Sequence, residues 1–397
     1  MPIILLLDLD DTLLQNSMDS FVPAYLQALA AHLSPKISPD HLIQELLRAT
    51  QIMLSNDRPN RTLKETFDSV FFPALGIPPE QIQAEIDEFY QTKFPELASL
   101  TQPMPGGTDL VSTALSRGYD LILATNPLFP RLAILHRMDW AGLKNYKDSF
   151  KIIPSYETFH FAKPNPAYFA ELLARNGWKE IPVLMIGDDL HNDIYPARKV
   201  GIQSYWITSE DDNQDSPKGD LCQFLSWLDQ VELSRLHIDF STPQAILAVL
   251  KSTPAALPTL CEKIKSEDWN TRFQASEWCQ TEIICHLRDV EREINLPRLQ
   301  KSLRENNPFI PGVDSDQWAD QRGYRQQSGS LALRTFIEAR LELIAILENF
   351  QPDDWLRQIR HAIFGPTSLL ELVGFVAEHD RIHIRQIVQN AKPSHPE

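Results

Sequence analysis

The chain has 397 residues, 43% of them hydrophobic and 23% charged, which is too long for one ordinary core and too apolar for a disordered chain. A formal net charge of -16 excludes a protein that tracks a nucleic-acid backbone through a basic face. Two domains are expected, with neither a nucleic-acid nor a membrane partner.

The opening MPIILLL has no basic leader region or cleavage site and is far too short to span a bilayer, so it reads as a strand. Short apolar runs then alternate with longer helical patterns: PIILLLDL (2–9), YDLILATN (119–126), IPVLMIGD (181–188) and QSYWIT (203–208). Continuous apolar strands separated by helices predict an α/β doubly wound parallel sheet covered on both faces. Between the first two runs, over about 15–102, no strand pattern occurs. Apolar positions in SFVPAYLQALAAHL and IQAEIDEFYQTKF repeat at helical spacing, predicting an inserted helical cap. SEDDNQDSPKGD (209–220) is a polar loop and LCQFLSWLDQV one closing helix. SRLHIDFSTP is the linker, placing the domains at 1–237 and 238–397.

Four helical patterns follow: PQAILAVLKSTPAALPTLCEKI, EWCQTEIICHLRDVEREI, SLALRTFIEARLELIAILENF and SLLELVGFVAEHDRIHIRQIV. With no strand pattern among them, they predict an all-α four-helix bundle. Cys222, Cys261, Cys279 and Cys285 show neither CxxC spacing nor a disulfide framework, which fits a reducing, cytoplasmic setting.

LLLDLDDTLL (5–14) sets carboxylates directly after a buried strand. In open α/β sheets ligands bind beyond the carboxyl ends of the strands, and residues two apart on a strand share a face. Asp8 and Asp10 are thus expected in one site, where their repulsion calls for a cation or a shared proton. Other strand ends supply Thr125 and Asn126 in ILATN, Lys163 in FAKPNP, and Asp188, Asp189 and Asp193 in LMIGDDLHND. Hydroxyl, amide and ammonium groups suit a phosphate, and hard carboxylate oxygens suit magnesium. A metal beside an anion site is the pairing that phosphoryl transfer uses. Singly, Asp10, Asp11 or Asp188 would as readily cap a helix.

DLDDT, ATN, AKPNP and GDDLHND, in this order, resemble the four motifs of the haloacid dehalogenase-like superfamily over about residues 1–230. The resemblance implies Asp8 as the nucleophile that forms an aspartyl-phosphate, and Asp10 as general acid and base. It implies Thr125 and Lys163 as holders of the phosphate, with Asn126 beside them. Asp8, the Asp10 backbone carbonyl and Asp188 would ligate Mg2+, and Asp193 would support the metal or Lys163. Asp189 falls at a variable position. Carbon–halogen-cleaving members lack the second aspartate, so Asp10 shifts the expectation to a phosphatase acting on a small phosphorylated metabolite. Arg58, Arg61 and Lys64 in the cap read as a solvated helix face.

EHDRIH puts His379 and His383 one turn apart on one helix side, and His286 lies in a second amphipathic pattern. Facing each other, the three would form an open-sided site for zinc, nickel or iron. EWCQTEIICHLRDVERE, WLRQIRHAIFGPTSLLELV and EHDRIHIRQI resemble the DinB-like family of four-helix metal proteins over about 243–392. That resemblance implies His286, His379 and His383 as the metal ligands; Asp380 reads as a supporting or surface group, and His361 is either structural or without an assigned place. Cys285 points about 100° away from His286 and reads as core. Some relatives transfer thiols, so the alternative is a thiol S-transferase bundle beside an N-terminal module that only binds a phospho-ligand. Homodimerisation through the bundle is a third reading.

Overall fold

A computed structural model describes residues 2–209, 216–272, 274 and 277–391. The chain folds into two compact units, residues 1–172 with 181–238 and residues 173–180 with 239–397.

The first unit holds a six-stranded parallel sheet: β1 (Ile4–Leu7), β2 (Asp120–Leu123), β3 (Phe150–Ile152), β4 (Val183–Gly187), β5 (Gln203–Ile207) and β6 (Lys218–Gly219), in the order β3-β2-β1-β4-β5-β6. β1 and β4 are buried at every position, as strands covered on both faces must be. The order reverses between β1 and β4, the place where doubly wound sheets bind ligands. Register aligns Leu7 with Leu123 and Ile186, so Asp8, Thr125 and Asp188 all leave the sheet at one edge.

β3 and β6 were not expected. Three and two residues are too few to show a period, and β6 interrupts the stretch read as a polar loop, of which residues 210–215 lie outside the described residues. The closing helix forms at Leu221–Leu228 behind a capping box of Asp220 and Gln223.

The insertion is helical, with α1 (Met18–Leu33), α2 (Pro39–Leu54), α3 (Leu63–Leu75) and shorter turns to Leu100. Two short strands absent from the sequence reading bound it: Leu14–Gln15 pairs antiparallel with Gln102–Pro103. A capping box of Thr62 and Glu65 starts α3, and Gly76 at φ +67° ends it in the left-handed conformation that glycine tolerates best. Three hydrogen bonds tie the cap to one core loop: Leu63 N donates to Phe159 O at 2.8 Å, Lys64 N to Tyr156 O at 2.8 Å, and Asn56 Nδ2 to His160 O at 2.7 Å. Two core helices, α4 (Arg131–Trp140) and α5 (Pro166–Arg175), follow the segments carrying Thr125 and Lys163.

In the second unit the four predicted helices are α6 (Pro243–Glu262), α7 (Gln280–Val290), α8 (Gly329–Leu347) and α9 (Leu369–Asn390). α7 runs on through a wider turn at Glu291–Asn295 into a further helix, Leu296–Arg304. The unit is not purely helical. β7 (Phe309–Ile310), β8 (Gln358–His361) and β9 (Gly365–Ser368) form a small sheet in which β8 pairs with both others. Gly365 at φ +75° allows the β8–β9 turn, and β9 ends at Ser368, whose capping box with Glu371 starts α9. No described helix is long and apolar enough to cross a membrane.

Candidate functional site

The edge of the sheet gathers four of the predicted groups. Lys163 is 2% exposed and sits between two carboxylates, donating to Asp8 Oδ1 at 2.6 Å and to Asp193 Oδ1. Oxygens of Asp8, Asp188 and Asp193 all lie within 4.8 Å of one another. Burial would lower the Lys163 pKa, but Asp193 and Asp8 raise it above its ordinary value. Burial raises Asp188, and Asp8 and Asp193 add to this, up to about 8. Asp193 is pushed to about 7 by burial, with Lys163 opposing and Asp8 reinforcing. Such crowding of carboxylates is what a divalent cation relieves, and the oxygen donors fit magnesium.

Gly187 makes the crowding sterically feasible: a Cβ there would overlap the Asp193 carboxylate and lie 2.7 Å from its Cβ. Gly187→Ala is therefore expected to displace Asp193, slacken Lys163 and lower the turnover number for phosphate release by roughly tenfold or more. A steady-state rate within twofold of the unsubstituted protein would refute this.

The Asp10 carboxylate has partners of its own. β1 ends at Leu7, so strand alternation does not carry on to Asp10. Its carboxylate pairs with Arg137 of α4 and accepts from Asn16 Nδ2 at 2.9 Å. Arg137 is 1% exposed and was missed by sequence reasoning; an arginine within a helical pattern gives no sign that it turns inward. Thr12 was missed too, and its hydroxyl donates to Asp188 Oδ1 at 3.2 Å.

Thr125 is buried and its Oγ1 has no partner among the described residues, as expected of a hydroxyl held for an anion. Asn126 Oδ1 accepts from Lys163 N at 3.2 Å, so this amide positions the lysine segment. Asp189 caps the next turn, accepting from His191 N at 2.7 Å and Asn192 N at 3.1 Å. In the cap, Lys64 pairs with Asp68, and Arg61, just before α3, donates to Glu65 O.

The second unit assembles the three histidines. His286 of α7 and His383 of α9 each bring Nε2 within 3.0 Å of His379 Nε2. Trp278 stacks on His383 at an interplanar angle of 7°, and His383 Nδ1 meets Gln386 Oε1 at 2.8 Å, which orients the ring. Burial lowers all three pKa values, His286 to about 3 and His383 to about 4, with His383 and then His286 further depressing His379. Neutral imidazoles converging on one point are ready metal donors. Their spacing is close to the ~3.3 Å separation implied by tetrahedral Zn–N bonds of ~2.0–2.1 Å.

Asp380 is not a surface group. It is fully buried and forms an ion pair with Arg340 of α8, whose Nη2 reaches Asp380 Oδ1 at 3.0 Å and whose Nε reaches Glu291 Oε1 at 2.6 Å. Thr253 Oγ1 donates to Asp380 Oδ2 at 2.7 Å. Burial lowers the Arg340 pKa, but the two carboxylates outweigh it and raise it. Cys285 is buried, as expected, and burial pushes its thiol up to about 11.

Fold and sites together define a doubly wound α/β domain with a lysine set among carboxylates at its sheet edge, and a helical domain with a three-histidine cluster that could hold a metal. Residues 4–201 match the family of haloacid dehalogenase-like hydrolases and residues 250–387 the DinB superfamily, so the chain carries one domain of each family. Similar proteins include one described as a metal-dependent hydrolase in Oceanobacillus iheyensis, 25% identical over 144 residues, covering 36% of this chain and 82% of that protein. The pyrimidine 5'-nucleotidase of Streptococcus pneumoniae is 31% identical over 147 residues, covering 36% and 59%. The phosphoglycolate phosphatase of Aliivibrio fischeri is 25% identical over 205 residues, covering 51% and 82%.

Proposed function

We propose that the N-terminal domain, a phosphatase of the haloacid dehalogenase-like family, acts through an aspartyl-phosphate on Asp8 with Mg2+ and takes a small phosphorylated metabolite. The supporting observation is Lys163 clamped between Asp8 and Asp193, with an unpartnered Thr125 hydroxyl buried on the neighbouring strand end. Lys163 aims the Asp8 oxygens and neutralises charge gathering on the phosphoryl group. Asp8 attacks phosphorus while the bond to the leaving oxygen breaks, and Asp10 gives that oxygen its proton. Asp10, held by Arg137 and Asn16, then takes a proton from water as the water oxygen attacks phosphorus and frees Asp8. Asp8, Asp188 and the Asp10 backbone would hold the Mg2+, which offsets the charge of both phosphate and carboxylates. Two similar proteins named for phosphate-ester substrates, phosphoglycolate phosphatase and pyrimidine 5'-nucleotidase, support the substrate class. Phosphate release from a panel of small monoesters is expected with Mg2+ and is expected to fall to background in chelator. Equal release in both would overturn the metal assignment.

For the bundle we infer a divalent transition-metal centre held by His286, His379 and His383. Zinc, nickel or iron in such a ligand set lowers the pKa of a bound water or thiol. The similar protein described as a metal-dependent hydrolase favours water over the thiol of an S-transferase. Elemental analysis of the full chain is expected to find one transition metal per chain, lost in His379→Ala. The same metal content in both proteins would place the ion elsewhere.

A further inference from the structure

Beside the histidine cluster the second unit has a cavity of about 210 Å³. His379, Arg298 and His361 all line it. Most of the remaining wall is aliphatic or aromatic, including Leu343 and Val376, and none of the lining residues is acidic. At the same cavity, Ile363 (71% exposed), Phe364 (55%) and Phe375 (41%) leave large apolar side chains in solvent, with the two phenylalanine rings 4.3 Å apart. A contiguous exposed apolar cluster is a feature of ligand-binding grooves.

The interior arginine Arg340 is paired with two carboxylates and so is Arg322, but Arg298 has no carboxylate partner among the described residues. Its Nη2 donates instead to a backbone carbonyl, Pro311 O, at 2.7 Å. Burial lowers its pKa, the mark of a guanidinium partly stripped of water without a counter-ion. His361 Nδ1 accepts from Ile363 N at 3.3 Å and Phe364 N at 3.4 Å, so the neutral ring carries its proton on Nε2. Burial, and next the charge of Arg298, disfavour a second proton on that ring.

We propose that this cavity binds a small carboxylic acid with an apolar, preferably aromatic body: the carboxylate on Arg298 and His361, the body among the aliphatic wall and the Phe364 and Phe375 rings. A cavity of ~150 Å³ holds a benzene ring, so the observed volume takes a ring with a short side chain. A bound body also lies against His379, which would make this the substrate pocket of the bundle centre. The carboxylate seat itself does not need the metal.

The test is calorimetric titration of the full chain with 3-phenylpropionate and with 3-phenylpropan-1-ol, which share one body and differ in charge. The acid is expected to bind at least roughly tenfold tighter than the alcohol, the worth of a charge-assisted bond. Arg298→Met is expected to bring the acid down to the affinity of the alcohol and leave the alcohol unchanged, with Arg298→Lys restoring part of the preference. Val376→Trp, which fills the cavity, is expected to abolish binding of both. Equal affinities for acid and alcohol, no binding of either, or binding that survives Val376→Trp would each overturn the proposal. Metal analysis on the same samples separates the two ideas: binding of the acid to a metal-free chain keeps the pocket and removes the metal centre.

Discussion

Asp8→Asn is expected to cut phosphate release by at least about 10³-fold, because an amide oxygen neither attacks phosphorus at a useful rate nor forms a hydrolysable acyl phosphate. The same change removes one of three mutually repelling carboxylates and keeps the side-chain shape. Thermal stability without Mg2+ should therefore hold or rise slightly, although Lys163 loses one of its two ionic partners. The measurement pairs initial rates of phosphate release with a melting curve. An active Asp8→Asn protein would eliminate the covalent route. An inactive protein that also failed to fold would be judged on Lys163→Met, which removes the clamp from the opposite partner.

Arg340→Met has the largest predicted effect on stability. Arg340 is fully buried and, among the described residues, is the cation paired with both Glu291 and Asp380, each also buried. Removing it leaves two interior carboxylates with their charge uncompensated, a loss of about 3–5 kcal/mol for a broken buried pair. For a unit of this size that is a fall of roughly 6–20 °C in the bundle transition. Replacing all three with apolar residues of similar volume should recover most of the loss, because the attraction in the native protein largely offsets desolvation. A drop below about 2 °C in the single variant would show that water reaches the network and solvates it.

The parts of the candidate site that could be read from the sequence were those encoded locally. Asp8, Thr125 and Asp188 each follow a fully apolar run, and the doubly wound rule then puts them at one edge. His379 and His383 were legible through helical spacing and His286 through its amphipathic helix. What escaped depends on pairing between distant segments. The contact of Arg137 with Asp10 joins a helix to a loop 127 positions away by their residue numbers, with no periodic signal at either end. Asp380 looked like a surface or supporting group because its partner, Arg340, lies on another helix. Strand alternation could not by itself place the Asp10 carboxylate, because the strand stops at Leu7 and its orientation depends on Arg137 and Asn16. Short strands such as Phe150–Ile152 and Phe309–Ile310 are defined by their neighbours' hydrogen bonds more than by their own side chains.

The cap hangs by three bonds on the strip Tyr156–His160, and that strip leads within three residues to Lys163. The same short run of backbone thus receives the inserted helices and, three residues on, presents the ammonium group to Asp8, so the footing of the insertion and the seat of that cation are continuous in the chain.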